Sequence, residues 1–312
     1  LYASGYRAAQ IDSLLRTPSL ETVIRSYQPT VSSSLGLLRP AAVWERSQSG
    51  YVLQTGAVRE GEVNARLSSL MLRGNLLARG DFDSLAIPFR AVATNIETRR
   101  AVMLSHGDLA RAVRASAAIP IVLRSVRLEG QWLTDGGLAD NTPVLQARLL
   151  GAERIWSSRL PYAPPDPNSF DDPLALSAAL VNSLFREDTV TAQFGDVVIV
   201  NPTAAFENLD FSRATSDSLI RLGHDAARAA FAAAPCLTPL GAHRARRLPA
   251  QVGTVTAVGS AVDADAVIAG LGLKEGVPLD LWRTELALRE IGHSERYRGI
   301  WLNPRGTERA VS

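Results

Sequence analysis

Apolar residues recur at helical spacing in some stretches and in short continuous or alternating runs in others, and the two kinds of stretch take turns along the chain. Spaced apolar positions predict a short helix over Ala8–Leu15, and Ser19-Leu20-Glu21 begins another. Ala41–Arg46 and Tyr51–Gln54 flank the polar turn Ser47-Gln48-Ser49-Gly50, which predicts a β-hairpin. From Glu62 to Leu77, the positions Val63, Leu67, Leu70, Met71 and Leu76 fit a helix that packs on the core by an apolar stripe. Ile87–Thr94 and Ala101–Ser105 read as neighbouring strands. Asp108 caps a helix through Leu109, Ala112, Val113 and Ala117, which Pro120 stops. Two short strands follow at Ser125–Leu128 and Gln131–Thr134, with Glu129-Gly130 as the tight turn. Beyond Asp135-Gly136-Gly137 come a helix over Thr142–Leu150, buried strands at Arg154–Ser158 and Asp196–Val200, and a helix between them near Pro173–Phe185. A long helix spans Ser212–Ala233. Such alternation predicts an α/β domain with a mainly parallel sheet.

A break falls at Pro235–Pro239 and the basic run His243-Arg-Ala-Arg-Arg247. The segment beyond it has its own order: strand Gly253–Val258, helix Ala264–Gly270, helix Leu279–Ile291, strand Arg298–Asn303. The expected organisation is therefore a first domain over residues 1–235, a linker over 236–248 and a small α+β domain over 249–312. Its 312 residues exceed the usual single-domain size, in keeping with this division.

Composition narrows the picture by exclusion. The net charge of +2 does not argue for nucleic acid, and Lys274 is the only lysine among the basic residues. Cys236, the sole cysteine, leaves no intrachain disulfide and no cysteine-based metal site. No apolar run reaches the roughly 18 residues that span a bilayer. The chain opens at Leu1 without a methionine or an apolar signal segment, so further sequence is expected before it.

Chemistry concentrates at Thr134-Asp135-Gly136-Gly137. A carboxylate at a strand end, followed by two glycines, can project into a cleft uncrowded by neighbouring side chains. There it could accept the proton of a serine hydroxyl. Asp-Gly is also a common turn dipeptide, so the tripeptide alone is weak evidence. Asp81, Asp83 and Asp140 are the rival carboxylates, and Asp140-Asn141-Thr142-Pro143 reads first as a loop and helix cap. Ser4, Ser49 and Ser260 adjoin glycine without the spacing of a nucleophile elbow, and the four histidines (His106, His224, His243 and His293) are scattered.

Context adds weight to Asp135. The ordered blocks Ile87–Asn95, Gly107–Pro120 and Leu133–Val144 closely resemble bacterial patatin-like phospholipases, over roughly Leu1–Ala233. The resemblance implies a three-layer α/β/α fold, here lacking its first strand and elbow. It also implies a serine–aspartate dyad whose aspartate is Asp135, supported by Gly136 and Gly137. Leu1-Tyr-Ala-Ser-Gly-Tyr6 resembles the start of the helix that leaves the family's G-x-S-x-G elbow; neither that motif nor the glycine-rich oxyanion loop occurs in these residues. The serine is accordingly expected upstream of Leu1, and Gln28–Asn75 could cover the site.

Gly253–Val258, Gly270–Gly276 with Leu279-Asp280, and Glu295–Trp301 resemble a POTRA domain. That resemblance implies a module that binds chains through a sheet edge and precedes an outer-membrane β-barrel. The expected function is hydrolysis of phospholipid or related lipid esters at a membrane surface of the cell envelope, at the outer membrane or after secretion. No metal or organic cofactor and no nucleic acid are expected. A catalytically inactive patatin-fold scaffold is the alternative.

Overall fold

In a computed structural model of the chain, the structure describes residues 1–16, 60–120, 122–160, 196–200, 212–233, 246–258, 264–294 and 296–312. It also gives a few positions between 171 and 185 and the backbone of four short strands between 31 and 53. The predicted helix start at Ser19, Ser49, Ser260, Cys236, His243 and most of the 236–248 linker lie outside these residues.

Helix α1 (Ala8–Leu15) has the expected bounds. Strands β1 (Val31–Ser33) and β2 (Gly36–Leu38) pair antiparallel, as do β3 (Trp44–Ser47) and β4 (Gly50–Leu53), where the polar turn predicted a hairpin. Helix α2 (Glu60–Ala78) starts with Glu60 and Glu62 in its first turn, where carboxylates complement the helix dipole. It ends at Arg79 and Gly80, both at positive φ. Instead of resting on the core by one apolar stripe, α2 is buried on several sides. Asn64, Ser68, Ser69 and Asn75 are buried along with Met71, Leu72, Leu76 and Leu77. Residues 60–75 thus form a core helix.

Strands β5 (Ala91–Asn95), β6 (Arg100–Leu104), β7 (Val126–Leu128) and β8 (Gln131–Asp135) form one sheet in the order β6-β5-β8-β7. Every pairing in it is antiparallel, contrary to the mainly parallel sheet that the alternation predicts. The reason is local: tight turns join β5 to β6 and β7 to β8, the second with Glu129 and Gly130 both at positive φ. A parallel pairing does exist between β9 (Trp156–Arg159) and β10 (Val197–Val200). Strand β5 starts later than the predicted Ile87. Pro88 has no N–H for a ladder, and Phe89 N donates to Phe82 O in the preceding 3₁₀ turn (Phe82–Ser84).

Helix α3 (Leu109–Ser116) is capped as predicted, with the Asp108 side chain accepting from Arg111 N. Helix α4 (Val144–Leu149) is not capped from Asp140. Its N-cap is Pro143, which makes no side-chain cap hydrogen bond. Helix α5 (Arg213–Ala233) packs on the parallel pair, where Phe231 stacks on Trp156 at 4.4 Å between ring centroids.

In the last segment, β11 (Gln251–Val252) pairs parallel with β12 (Ala310–Val311), and helices α6 (Ala264–Gly270) and α7 (Leu281–His293) lie between them. The strands predicted at Gly253–Val258 and Arg298–Asn303 do not form. At Arg298 and Ile300 the carbonyls accept from the side chains of Asn64 and Ser68 on α2, which satisfies them without a strand partner.

The core has three parts. Met71, Leu77 and Ala78 of α2 pack with Phe82, Leu85, Ala91 and the buried face of α3. The other side of α2, through Leu72 and Leu76, packs with Leu271, Ala287, Leu288 and Val311 of the last segment. Ala93, Ala115 and Leu133 join α3 to the sheet. Contact between α2 and α7 is close because glycines sit there: a Cβ on Gly292 would overlap the Ala65 methyl, and one on Gly61 would lie 2.8 Å from the Tyr297 carbonyl oxygen.

Candidate active site

Asp135 ends β8, and its side chain caps the 3₁₀ turn Gly136–Leu138 by accepting from Gly137 N at 2.8 Å through Oδ1. Its peptide is fixed on both sides. The N–H donates to Ala118 O at 3.1 Å, and the carbonyl accepts from Thr94 Oγ1 at 2.7 Å. Thr134 Oγ1 also donates to Ala118 O, at 2.8 Å, so the end of α3 and the end of β8 are joined twice. The carboxylate therefore projects from a rigid strand end instead of a loose turn.

The two glycines have separate reasons. A Cβ on Gly136 would overlap the Val92 carbonyl oxygen of β5, so the turn can approach that strand only without a side chain. A Cβ on Gly137 would lie 2.5 Å from the Phe185 ring and 2.7 Å from Asn141 Oδ1. Burial pushes the Asp135 carboxyl above the usual carboxylate range, and the Gly137 N–H draws it partly back. A carboxylate raised in this way is a better proton acceptor than one in bulk water.

The rival carboxylates have other work. Asp81 caps the Phe82–Ser84 turn, accepting from Asp83 N and Ser84 Oγ, and Asp83 pairs with Arg90. Asp140 lies just past the Gly136–Leu138 turn, its N–H donating to Gly136 O. Ser4 is buried, and a Cβ on Gly74 of α2 would overlap its Oγ, so it lies packed in the interior. His224 adjoins Asp225, and His293 contacts Arg289 O and Glu62.

One grouping goes unnoticed in the sequence. Ser105 Oγ lies 3.2 Å from His106 Nδ1, and His106 Nε2 lies 2.9 Å from Glu129 Oε1. Only the β7–β8 turn brings Glu129 there, and only a reading of that turn against the end of β6 could have found it. The His106 and Glu129 side chains are 59% and 69% exposed, so solvent screens their interaction and leaves it a surface bridge. Among the described residues, no group of three or more His, Cys, Asp or Glu side chains could hold a metal, and no helix is long and apolar enough to cross a membrane.

Asp135 thus stands at a strand end, held by the turn that Gly136 and Gly137 form, on a mixed α/β scaffold. Residues 1–148 match the family model described as Patatin-like phospholipase. The match stops well before Ala233, and it includes Asp135, Gly136 and Gly137. Uncharacterized NTE family proteins of Mycobacterium bovis and Mycobacterium tuberculosis are 40% identical to this chain over 62 residues. That stretch is 20% of this chain and 17% of the length of those proteins.

Proposed function

We propose that this chain is the later part of a patatin-like lipid acyl hydrolase acting on phospholipid or related lipid esters, with Asp135 as the general base of a serine–aspartate dyad. The observation that carries this reading is the anchored Asp135 carboxylate within the stretch that matches the family. In the proposed reaction, a serine encoded before Leu1 attacks the ester carbonyl, and Asp135 takes its proton. The alkoxide of the lipid leaves with that proton, and an acyl-serine remains. Water then attacks the acyl-serine, Asp135 accepts the water proton, and the fatty acid is released as the serine is reprotonated. Glycine N–H groups upstream would hold the oxyanion. This chemistry requires no metal or organic cofactor.

The accompanying proposals are a division at residues 236–248 and a POTRA-like module over 249–312. With them goes a place at the outer membrane or outside the cell, where the enzyme meets a lipid surface. The test is phospholipid hydrolysis by the full-length protein carrying Asp135→Asn. Loss of activity by a factor of roughly 10²–10⁴, with the melting transition unchanged, supports the base role. Hydrolysis at the parent rate ends it, and a full-length parent protein with no hydrolytic activity would favour the scaffold reading.

A further inference from the structure

Oδ1 of Asp135 is engaged by Gly137 N, and among the described residues no donor reaches Oδ2. Oδ2 is thus the oxygen open to a proton. How strongly it takes one depends on its surroundings, since a charged neighbour, a hydrogen bond and the exclusion of water each move a carboxyl in a known direction.

Among the described residues, the first of these does not operate. The groups set against Asp135 and its turn are Val92 and Thr94 of β5, Ala118 at the end of α3, Asn141 and Phe185, all neutral. Asp140 is the titratable group beside the same turn; its N–H donates to Gly136 O, and its charge is not among the influences on Asp135. One hydrogen bond, from Gly137, favours the ionised form, and burial outweighs it. That burial has an identifiable apolar source. The half-buried Phe185 ring lies on Gly137, the glycine that donates to the carboxylate, so close that a Cβ there would stand 2.5 Å from Cδ1 and 2.8 Å from Cε1.

We propose that Phe185 is a positioning residue of the candidate active site: by lying on Gly137 it keeps water off the Asp135 carboxylate. The inference rests on the reading of Asp135 as general base and says what fits the carboxylate for that work. A base that must take a serine proton gains from lost solvation, because its ionised form is then held less firmly. A polar side chain would not serve in place of the ring: an amide or hydroxyl would donate to the carboxylate and weaken it as a base. Phe185 acts through Asp135 and needs no contact with the ester.

The test is the acid limb of kcat/KM for phospholipid hydrolysis by the full-length protein, which reports the ionisation of the base in the free enzyme. Phe185→Ala should move its midpoint to lower pH by about half a unit or more, as water reaches the carboxylate. On the plateau kcat should fall roughly two- to fivefold, with KM little changed, because the base is weaker. Phe185→Leu, which keeps an apolar cover, should hold the midpoint near that of the parent. Phe185→Gln should lower it as alanine does, and serves where the alanine variant unfolds. A second readout needs no catalysis: the ¹³C carboxyl titration of Asp135, assigned by its loss in Asp135→Asn, should shift in the same direction. A midpoint and a titration that stay in place in Phe185→Ala or Phe185→Gln, whatever happens to the melting temperature, overturn the proposal. If Asp135→Asn still removes hydrolysis, the base role survives that result; hydrolysis that persists in Asp135→Asn ends both.

Discussion

Replacing Asp108 with asparagine should make the protein more stable at neutral pH and remove one component of its pH dependence. Asp108 caps α3 through Oδ1, while Oδ2 is buried without a hydrogen-bond partner. Burial pushes its carboxyl up to about 6 from an ordinary 3.8, against the pull of the Arg111 N–H, the Asn75 amide, the Ala110 N–H and the Arg111 charge. The folded state thus holds the proton more tightly than the unfolded chain does. Above about pH 6 the carboxyl is ionised in both states, and folding bears the full cost of burying the charge. Between about pH 6 and 4 the folded form is protonated and the unfolded form is not, so this group's contribution becomes more favourable as pH falls. Below about pH 4 it levels off. Roughly two pH units correspond to about 3 kcal/mol. Asparagine retains the cap, stays neutral and exchanges one buried unpartnered atom for another. Urea unfolding of parent and Asp108→Asn from pH 4 to 8 isolates the effect in their difference. The variant should be more stable by about 1–3 kcal/mol at pH 7.5, and the two should converge near pH 4. A difference that does not change with pH, or a variant less stable at pH 7.5, would refute the reasoning.

Four further substitutions test the packing of the scaffold. Glu60→Ala should cost about 3–5 kcal/mol in urea unfolding, because Glu60 is the carboxylate facing Arg114, whose side chain is 2% exposed, and also accepts from Arg124 N. Gly136→Ala should cost more than about 2 kcal/mol through overlap with the Val92 carbonyl. Gly130→Ala, with positive φ but open space around it, should cost only about 1 kcal/mol by the same urea unfolding. Gly292→Val should push α7 off α2, and limited proteolysis should then release the last segment earlier than in the parent while the body persists.

What could be read in advance divides along physical lines. The helices Ala8–Leu15 and Ala264–Gly270, the Asp108 cap and the Glu129-Gly130 turn obey short-range rules, and they stand where the sequence places them. The end of β8 at Asp135 was legible because two glycines punctuate it, whereas the role proposed for the carboxylate came from the resemblance. The reason for Gly136, a carbonyl of β5, lies more than forty residues away and leaves no local trace. Strand direction was missed at the β5–β6 turn, which contains no glycine and places Arg99 at positive φ. A signal was present there: Asn95 Oδ1 accepts from Glu97 N and Thr98 N, an asparagine-led turn. The two missing strands in the last segment could not have been foreseen, since apolar runs predict extended chain but do not say whether a strand or a side chain will take its carbonyls.

Gly61, Asn64 and Ser68 stand three and four residues apart on α2, and what they meet is backbone: the carbonyls of Tyr297, Arg298 and Ile300. Contacts of this kind do not distinguish one amino acid from another. At these three points α2 recognises the path of the last segment rather than its spelling, so substitutions at 297, 298 and 300 should leave those attachments intact. Changes at 61, 64 or 68 should undo them even if every residue of the segment is kept. The information that docks this segment is stored in the helix it docks against.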